Sequence, residues 1–461
     1  MANYNFSRDP VKVSKVSTKN RKIMTQIPCP GTKNKIKYLE SIESRSMHGQ
    51  LPIIWDKAEN YNVYDEAGNC WIDFTSTIFV ANIGHSNKSL INNLIKLFKN
   101  EPISTYAYVN NQRILYQKKL LKFSGNKFDK AYLVSTGSEA TEAALKLMRM
   151  YGQKKKKKKL GIISFEGNWH GRTIGAQMMS GNEEQKKWIG FKDKDIHHLP
   201  FPYPWVTNDK DSVSFFENSI KNLLSKKKLD PSKDLCGCIV ETFQGWGSIF
   251  YPKKYIQALE KFCKKNNIIL AFDEMQSGFA RTGKPFGYEH YNVKPDLICC
   301  GKGMGGGLPL AGVIGKKYLM DLPEVGNMSS THSANPLVCK AGMTVLDEIT
   351  KKRLVSTTAK KGKILEKKLK EIKNKYHNII SYTNCKGLIA AIIFKTKDGK
   401  PDSLIASQIS EKCMQKGLLV VHTGRESIKI GPPLTITISA LIEGIKVLDE
   451  SIFEIQKQFY E

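Results

Sequence analysis

NIILAFDEMQSGFARTGKPFGYEHYNVKPDLICCGKGMGGGLPLAG, residues 267–312, contains two short apolar runs, and a residue with chemistry follows each. The first run, Ile268 to Phe272, ends in Asp273; the second, Leu297 to Cys300, leads through Gly301 into Lys302. Apolar runs of this length, bounded by turn residues, read as strands buried on both faces, as in a parallel sheet. Asp273 therefore falls at the carboxyl end of a buried strand. A carboxylate there is costly unless a cation meets it, and both a structural ion pair and the protonated ring nitrogen of a bound ligand satisfy that need. Lys302 lies among glycines 301, 303, 305, 306 and 307, which let backbone and ligand approach closely. Partial desolvation would lower its basicity and favour a nucleophilic amine, whereas a flexible surface loop is the plainer alternative.

Working outward, the runs AYLVSTG (131–137), LGIISFEG (160–167) and CGCIVETF (236–243) alternate with helical patterns or loops. This alternation predicts an α/β fold with a mainly parallel sheet flanked by helices. Between the first two runs, Ala140, Ala143, Ala144, Leu147 and Met148 recur at helical spacing, with Ser138 as the expected N-cap and Glu139 and Glu142 in the first turn. The turn Ser135-Thr136-Gly137-Ser138 could cup a phosphate on its free backbone N–H groups, although a capped helix alone would look the same. From residue 335 onward, helical patterns and LIAAIIF (388–394) suggest a smaller α+β domain that pairs with N-terminal residues. The expected division is an N-terminal arm at 1–45, broken by Pro28, Pro30 and Gly31, a small domain at 46–85 and 335–461, and a large domain at 86–334.

The formal charge of +29 raises the possibility of a nucleic-acid-binding protein. Its lysines are scattered, and the densest block, Lys154 to Lys159, has no interleaved aromatics, so we read a solvated loop and expect no nucleic-acid partner. No run reaches the length of a membrane span and no secretory leader is visible, so a cytoplasmic protein without membrane association is expected. The ten cysteines lack zinc-ligand spacing and read as reduced, mostly buried thiols, with no metal site.

Several ordered motifs resemble the class III aminotransferases, pyridoxal-phosphate (PLP) enzymes of fold type I. They are VYDEAGNCWIDF (63–74), NIGHSN (82–87), VSTGSEATEAALKL (134–147), GNWHGRTIGA (167–176), ETFQGWG (241–247), DEMQSGFARTG (273–283), the lysine motif, STHSANPL (330–337) and IGPPLTIT (430–437). The likeness spans about residues 50 to 445, and the spacing 302 − 273 = 29 agrees with the family. The resemblance implies that Lys302 holds the cofactor through its amine and shuttles a proton, and that Asp273 keeps the pyridine nitrogen protonated. It implies that Trp169 stacks on the ring and that Gly137 and Ser138 bind the phosphate. Thr331 would reach that phosphate from a neighbouring subunit, which makes a homodimer. Gln276 would meet the phenolic oxygen and Glu241 would support that edge.

The expected reaction moves an amino group from an amine or amino acid to a 2-oxo acid; racemase, mutase and phospholyase chemistry share the scaffold. Three positions depart from the family pattern. Lys429 stands where an arginine often docks the substrate carboxylate, and lysine lacks the bidentate fork. Trp246 replaces a glutamate that often gates that arginine, and Ile78 replaces a frequent aromatic, which together predict a more apolar substrate pocket. Arg425, four positions before Lys429, is an alternative source of the fork.

Overall fold

The computed structural model describes residues 4–460, and residues 1–3 and 461, the outer ends of the expected arm and small domain, lie outside it. The chain divides into two compact units. One comprises Ser89–Gly245 and Ile249–Val355; the other comprises the chain up to Lys88, Trp246–Ser248 and the chain from Ser356.

The unit holding Asp273 and Lys302 is built on a seven-stranded sheet. Its strands are β1 (Lys130–Val134), β2 (Gly161–Phe165), β3 (Ile196–Leu199), β4 (Leu235–Glu241), β5 (Ile269–Asp273), β6 (Leu297–Cys300) and β7 (Ala311–Gly315). Their order is β1-β7-β6-β5-β4-β2-β3. Only β7 runs antiparallel, to both β6 and β1, so the other six strands end at one edge of the sheet. Strands β2, β4, β5 and β6 are buried along their whole length, which is why they read as unbroken apolar runs. Helix α1 (Gly137–Lys154) follows β1 and buries Ala140, Ala143, Ala144, Leu147 and Met148 in the core, as their spacing predicted.

The other unit joins the N- and C-terminal parts as expected and differs from expectation in two places, the arm and the point of return. The expected arm is instead part of this unit: Lys22–Ile23 pairs with Cys70–Asp73, and Ile23 and Ile27 are fully buried with Trp71, Met414 and Leu419. The apolar run near 388 forms strand Ile389–Phe394, which pairs with Ile380–Lys386 and Ser427–Ile430, and the expected pairing of this part of the chain with N-terminal residues is made elsewhere in it. It is Leu418–Leu419 that joins the N-terminal sheet, parallel to Cys70–Asp73. The return to this unit falls at Ser356 rather than 335, because helix Pro336–Lys351 packs on helix Asn111–Phe123 of the sheet unit. Residues 246–248 belong here through bonds to backbone: Ser427 Oγ donates to the Trp246 carbonyl at 2.9 Å and Asn384 Nδ2 to the Ser248 carbonyl at 2.6 Å.

Candidate active site

The carboxyl ends of five parallel strands bring the predicted cofactor residues to one edge of the sheet. Strand β1 leads into Gly137 and Ser138, β2 into the loop carrying Trp169, β4 ends at Glu241, β5 ends at Asp273, and β6 leads into Lys302. The register places Asp273 directly beside Glu241 on one side and Cys299 on the other. Ligands of open α/β sheets gather at this edge because loops there can diverge around a cleft.

The turn after β1 is capped by Thr136 rather than Ser138. Thr136 Oγ1 accepts the Glu139 N–H, while Glu139 Oε2 accepts the N–H groups of Thr136 at 2.7 Å and Ser135 at 3.1 Å. The T-x-x-E spacing is a capping box, and Ser138 falls one residue inside the helix. Among the described residues this leaves the N–H groups of Gly137 and Ser138 without an acceptor, at the positive end of an 18-residue helix. A side chain at Gly137 would meet Met275 Sδ at 3.0 Å.

The loop after β2 is laid across this helix start. Arg172 N–H donates to Ser138 Oγ at 3.3 Å, Thr141 Oγ1 donates to the His170 carbonyl at 2.8 Å, and a Cβ on Gly171 would stand 2.4 Å from Ser138 Oγ. Glycine at 171, with φ of +142°, is what allows that approach. Glu241 Oε2 accepts the Trp169 N–H at 3.1 Å, and the Arg172 guanidinium lies over the indole at 4.7 Å, so the ring is held from backbone and face.

Asp273 is 5% exposed, and two donors meet its carboxylate: the Met275 N–H at 3.0 Å on Oδ1 and His170 Nδ1 at 2.9 Å on Oδ2. His170 is itself buried, and its sequence motif was visible without its role. Gln276 and Glu241 converge on Gly245, whose Cβ position lies 2.8 Å from Gln276 Nε2 and 3.0 Å from Glu241 Oε1. Lys302 follows in a left-handed conformation, φ +47°, a strained state for a residue with a side chain. Desolvation pulls the basicity of its amine below the usual lysine range, opposed by the carboxylates of Asp273 and Glu241. The amine is bonded to neither, nor to any other described residue. A desolvated amine that feels two carboxylates without bonding them suits a carbonyl cofactor with a cationic ring nitrogen, and the spare N–H pair of Gly137 and Ser138 suits its phosphate.

Glu274 was not singled out from sequence. It is fully buried and accepts four hydrogen bonds, from Thr242 Oγ1 (2.5 Å) and Tyr288 N–H (2.6 Å) on Oε1 and from Ser277 Oγ (2.7 Å) and Gly287 N–H (2.7 Å) on Oε2. It thereby joins the residue after Glu241, its own neighbour Asp273, and the loop that begins with Gln276. Burial raises its pKa to about 7, against the pull of the four donors. With the folded value above the unfolded one, stability falls as pH rises from about 4.5 to 7 and is level above that. Glu274→Gln places an amide against one buried N–H and should cost about 1–3 kcal/mol. The same change should flatten the acid-side slope in a urea titration series across pH; unchanged slope and stability would show that the carboxylate is not the tie.

Thr331 is exposed in the loop before helix Pro336–Lys351. In the other unit, Ile78 is 47% exposed on the turn Ser76–Phe79, where four successive residues have positive φ. Asp73 accepts the Thr75 and Ser76 N–H groups and holds that turn. Lys429 is 4% exposed, with its ammonium over the Phe79 ring at 4.5 Å, and the Arg425 guanidinium stacks on Trp246 at 3.9 Å.

Residues 44–452 match the family described as aminotransferase class-III. The chain is 31% identical over 412 residues to an acetylornithine aminotransferase of Caldanaerobacter subterraneus subsp. tengcongensis, covering 89% of this chain and 97% of that protein. It is also 31% identical over 406 residues to a probable 4-aminobutyrate aminotransferase of Bacillus subtilis, covering 86% and 92%. Among solved structures, acetylornithine aminotransferase from Elizabethkingia anophelis superposes with a TM-score of 0.77 at 27% identity over 92% of this chain and 100% of that one. Ornithine aminotransferase from Toxoplasma gondii shares the fold, with a TM-score of 0.82 at 22% identity over 93% and 96%. The chain belongs to the class III aminotransferases, enzymes that use PLP to transfer an amino group.

Proposed function

We propose that this aminotransferase carries PLP on Lys302, works as a homodimer in the cytoplasm, and passes the amino group of an amine or amino acid to a small 2-oxo acid. The observation that carries the reading is the desolvated Lys302 amine facing Asp273 and Glu241 at adjacent strand ends. PLP, when bound, supplies an electron-accepting ring that stores the electron pair left when the substrate Cα loses its proton. The chain's own groups do the rest. Lys302 would hold the cofactor, and its amine would move the proton at the substrate Cα; its lowered basicity keeps more of it neutral for that task. Asp273, oriented by His170 and the Met275 N–H, would keep a proton on the ring nitrogen. Gly137 and Ser138 would hold the phosphate through their N–H groups, Trp169 would pack against the ring, and Gln276 and Glu241 would support its phenolic oxygen.

Trp246, Lys429 and Ile78 lead us to propose an acceptor pocket that takes a single carboxylate, so that pyruvate competes well with 2-oxoglutarate. Lys429→Ala should lower kcat/KM for pyruvate by about tenfold, the scale of one lost charged contact. The measurement is kcat/KM for both acceptors in wild type, Lys429→Ala and Arg425→Ala. A strong preference for 2-oxoglutarate that Lys429→Ala leaves intact would refute the role of Lys429, and a selective loss in Arg425→Ala would move it to the arginine stacked on Trp246.

The dimer reading is supported by apolar side chains left open between residues 91 and 115, including Phe98 (54% exposed), Tyr108 (80%) and Val109 (77%). Thr331, exposed within one chain, would complete the neighbour's phosphate site. Sedimentation should find no active monomer at assay concentrations; monomers with full cofactor affinity and rate would exclude a shared site. The ten free thiols support a reducing compartment. No helix among the described residues is long and apolar enough to cross a membrane.

A further inference from the structure

Edge strand β3 pairs with β2 alone, and beside it lies a cleft of about 1030 Å³ bordered by the turn Glu184–Ile189 and helix Ser212–Lys227. The size is that of a small-ligand site. Six lysines and two carboxylates line it. Both carboxylates are already matched: Glu183 by Lys186 at 2.8 Å and Lys192 at 3.0 Å, and Asp193 by Arg149 at 2.6 Å. Lys194, Lys226 and Lys227 are exposed and have no ion-pair partner among the described residues. Lys226 and Lys227 also end a helix, where cations are favoured without any ligand, but Lys194 has no such reason to be there.

The inner wall is of a different kind. His197 is 5% exposed, and its Nε2 is buried without a hydrogen-bond partner. His198 is fixed to the Met179 carbonyl at 3.2 Å, and desolvation lowers its pKa to about 4, so it adds no charge near neutrality. Met178, Ile189, Leu223 and the 60% exposed ring of Phe191 supply an apolar surface. The cleft thus combines an uncompensated basic rim, a buried polar atom in need of a partner and a flat apolar wall. A long nucleic acid would call for a stripe of lysines interleaved with aromatics, whereas these lysines border a single open cleft beside a four-residue strand. We infer that the cleft binds an organic phosphate, with phosphoryl oxygens on Lys194, Lys226 and Lys227 and an apolar or aromatic body against Phe191.

The test uses the PLP-saturated enzyme, so that the phosphate turn of the active site is filled, and equilibrium dialysis at about 0.15 M salt to screen loose surface attraction. ATP and inorganic pyrophosphate are the probes. ATP should bind about one per chain with submillimolar Kd, the combined variant Lys194→Glu, Lys226→Glu, Lys227→Glu should weaken both probes about tenfold or more, and its turnover should match wild type. Phe191→Ala should weaken ATP several-fold and leave pyrophosphate unchanged. Absence of ATP binding, or binding that the charge-reversed variant retains, would overturn the site and leave a solvated basic rim. Equal effects of Phe191→Ala on both probes would overturn the placement of the body. A single-stranded oligonucleotide held by the same lysines and not displaced by ATP would replace the proposal with a nucleic-acid surface.

Discussion

Lys302→Ala should reduce turnover by about 10⁴-fold or more while leaving the fold intact, because on the proposed reading it removes both the covalent hold on the cofactor and the base that takes the Cα proton. The size of the effect follows from the site's construction. Lys302 sits in a left-handed turn directly after a buried strand, and a Cβ on the preceding Gly301 would stand 2.5 Å from Met275 Sδ, so a neighbouring lysine cannot shift into its place. Steady-state kinetics with saturating PLP, alongside the thermal midpoint as a control for folding, measures the change. Residual activity above about one hundredth of wild type would remove Lys302 from its central role.

Asp273→Asn should bind the cofactor and yet lose about 10²- to 10⁴-fold in turnover. The carboxylate is buried, His170 and the Met275 N–H meet it, and on the proposed reading it faces the ring nitrogen of the bound cofactor. An amide of the same shape can keep the contacts of one oxygen but does not favour a protonated ring. The readout is kcat with cofactor occupancy measured in the same sample. A variant fully loaded with PLP and close to wild-type rate would show that Asp273 only packs against its neighbours.

Much of this arrangement is legible in the sequence because parallel strands buried on both faces leave unbroken apolar runs. The runs ending at Asp273, Glu241 and Gly301 marked the strands of the sheet, and the polar residues that close them marked the candidate site at its edge. The signal weakens where burial is one-sided or short. Strand β3 has the sequence IHHL, at the sheet's edge, and β7 carries two glycines, so neither forms an apolar run. Long-range partners are also invisible along the chain: Ile23 and Ile27 look like part of a basic arm until Trp71, Met414 and Leu419 cover them. The His170–Asp273 bond joins positions 103 residues apart, and half of the donors to Glu274 are backbone N–H groups, which any residue would supply. The choice of Thr136 over Ser138 as cap turned on the three-residue spacing to Glu139, where both candidates carry the same hydroxyl.

Borohydride treatment of the PLP-loaded enzyme, followed by peptide mapping, tests the central claim most directly. A single stable pyridoxyl label is expected on Lys302, in the peptide that follows the Leu297–Cys300 strand, and it should be lost in Lys302→Ala. A label of equal yield on any other lysine, with Lys302 unmodified, would contradict that claim.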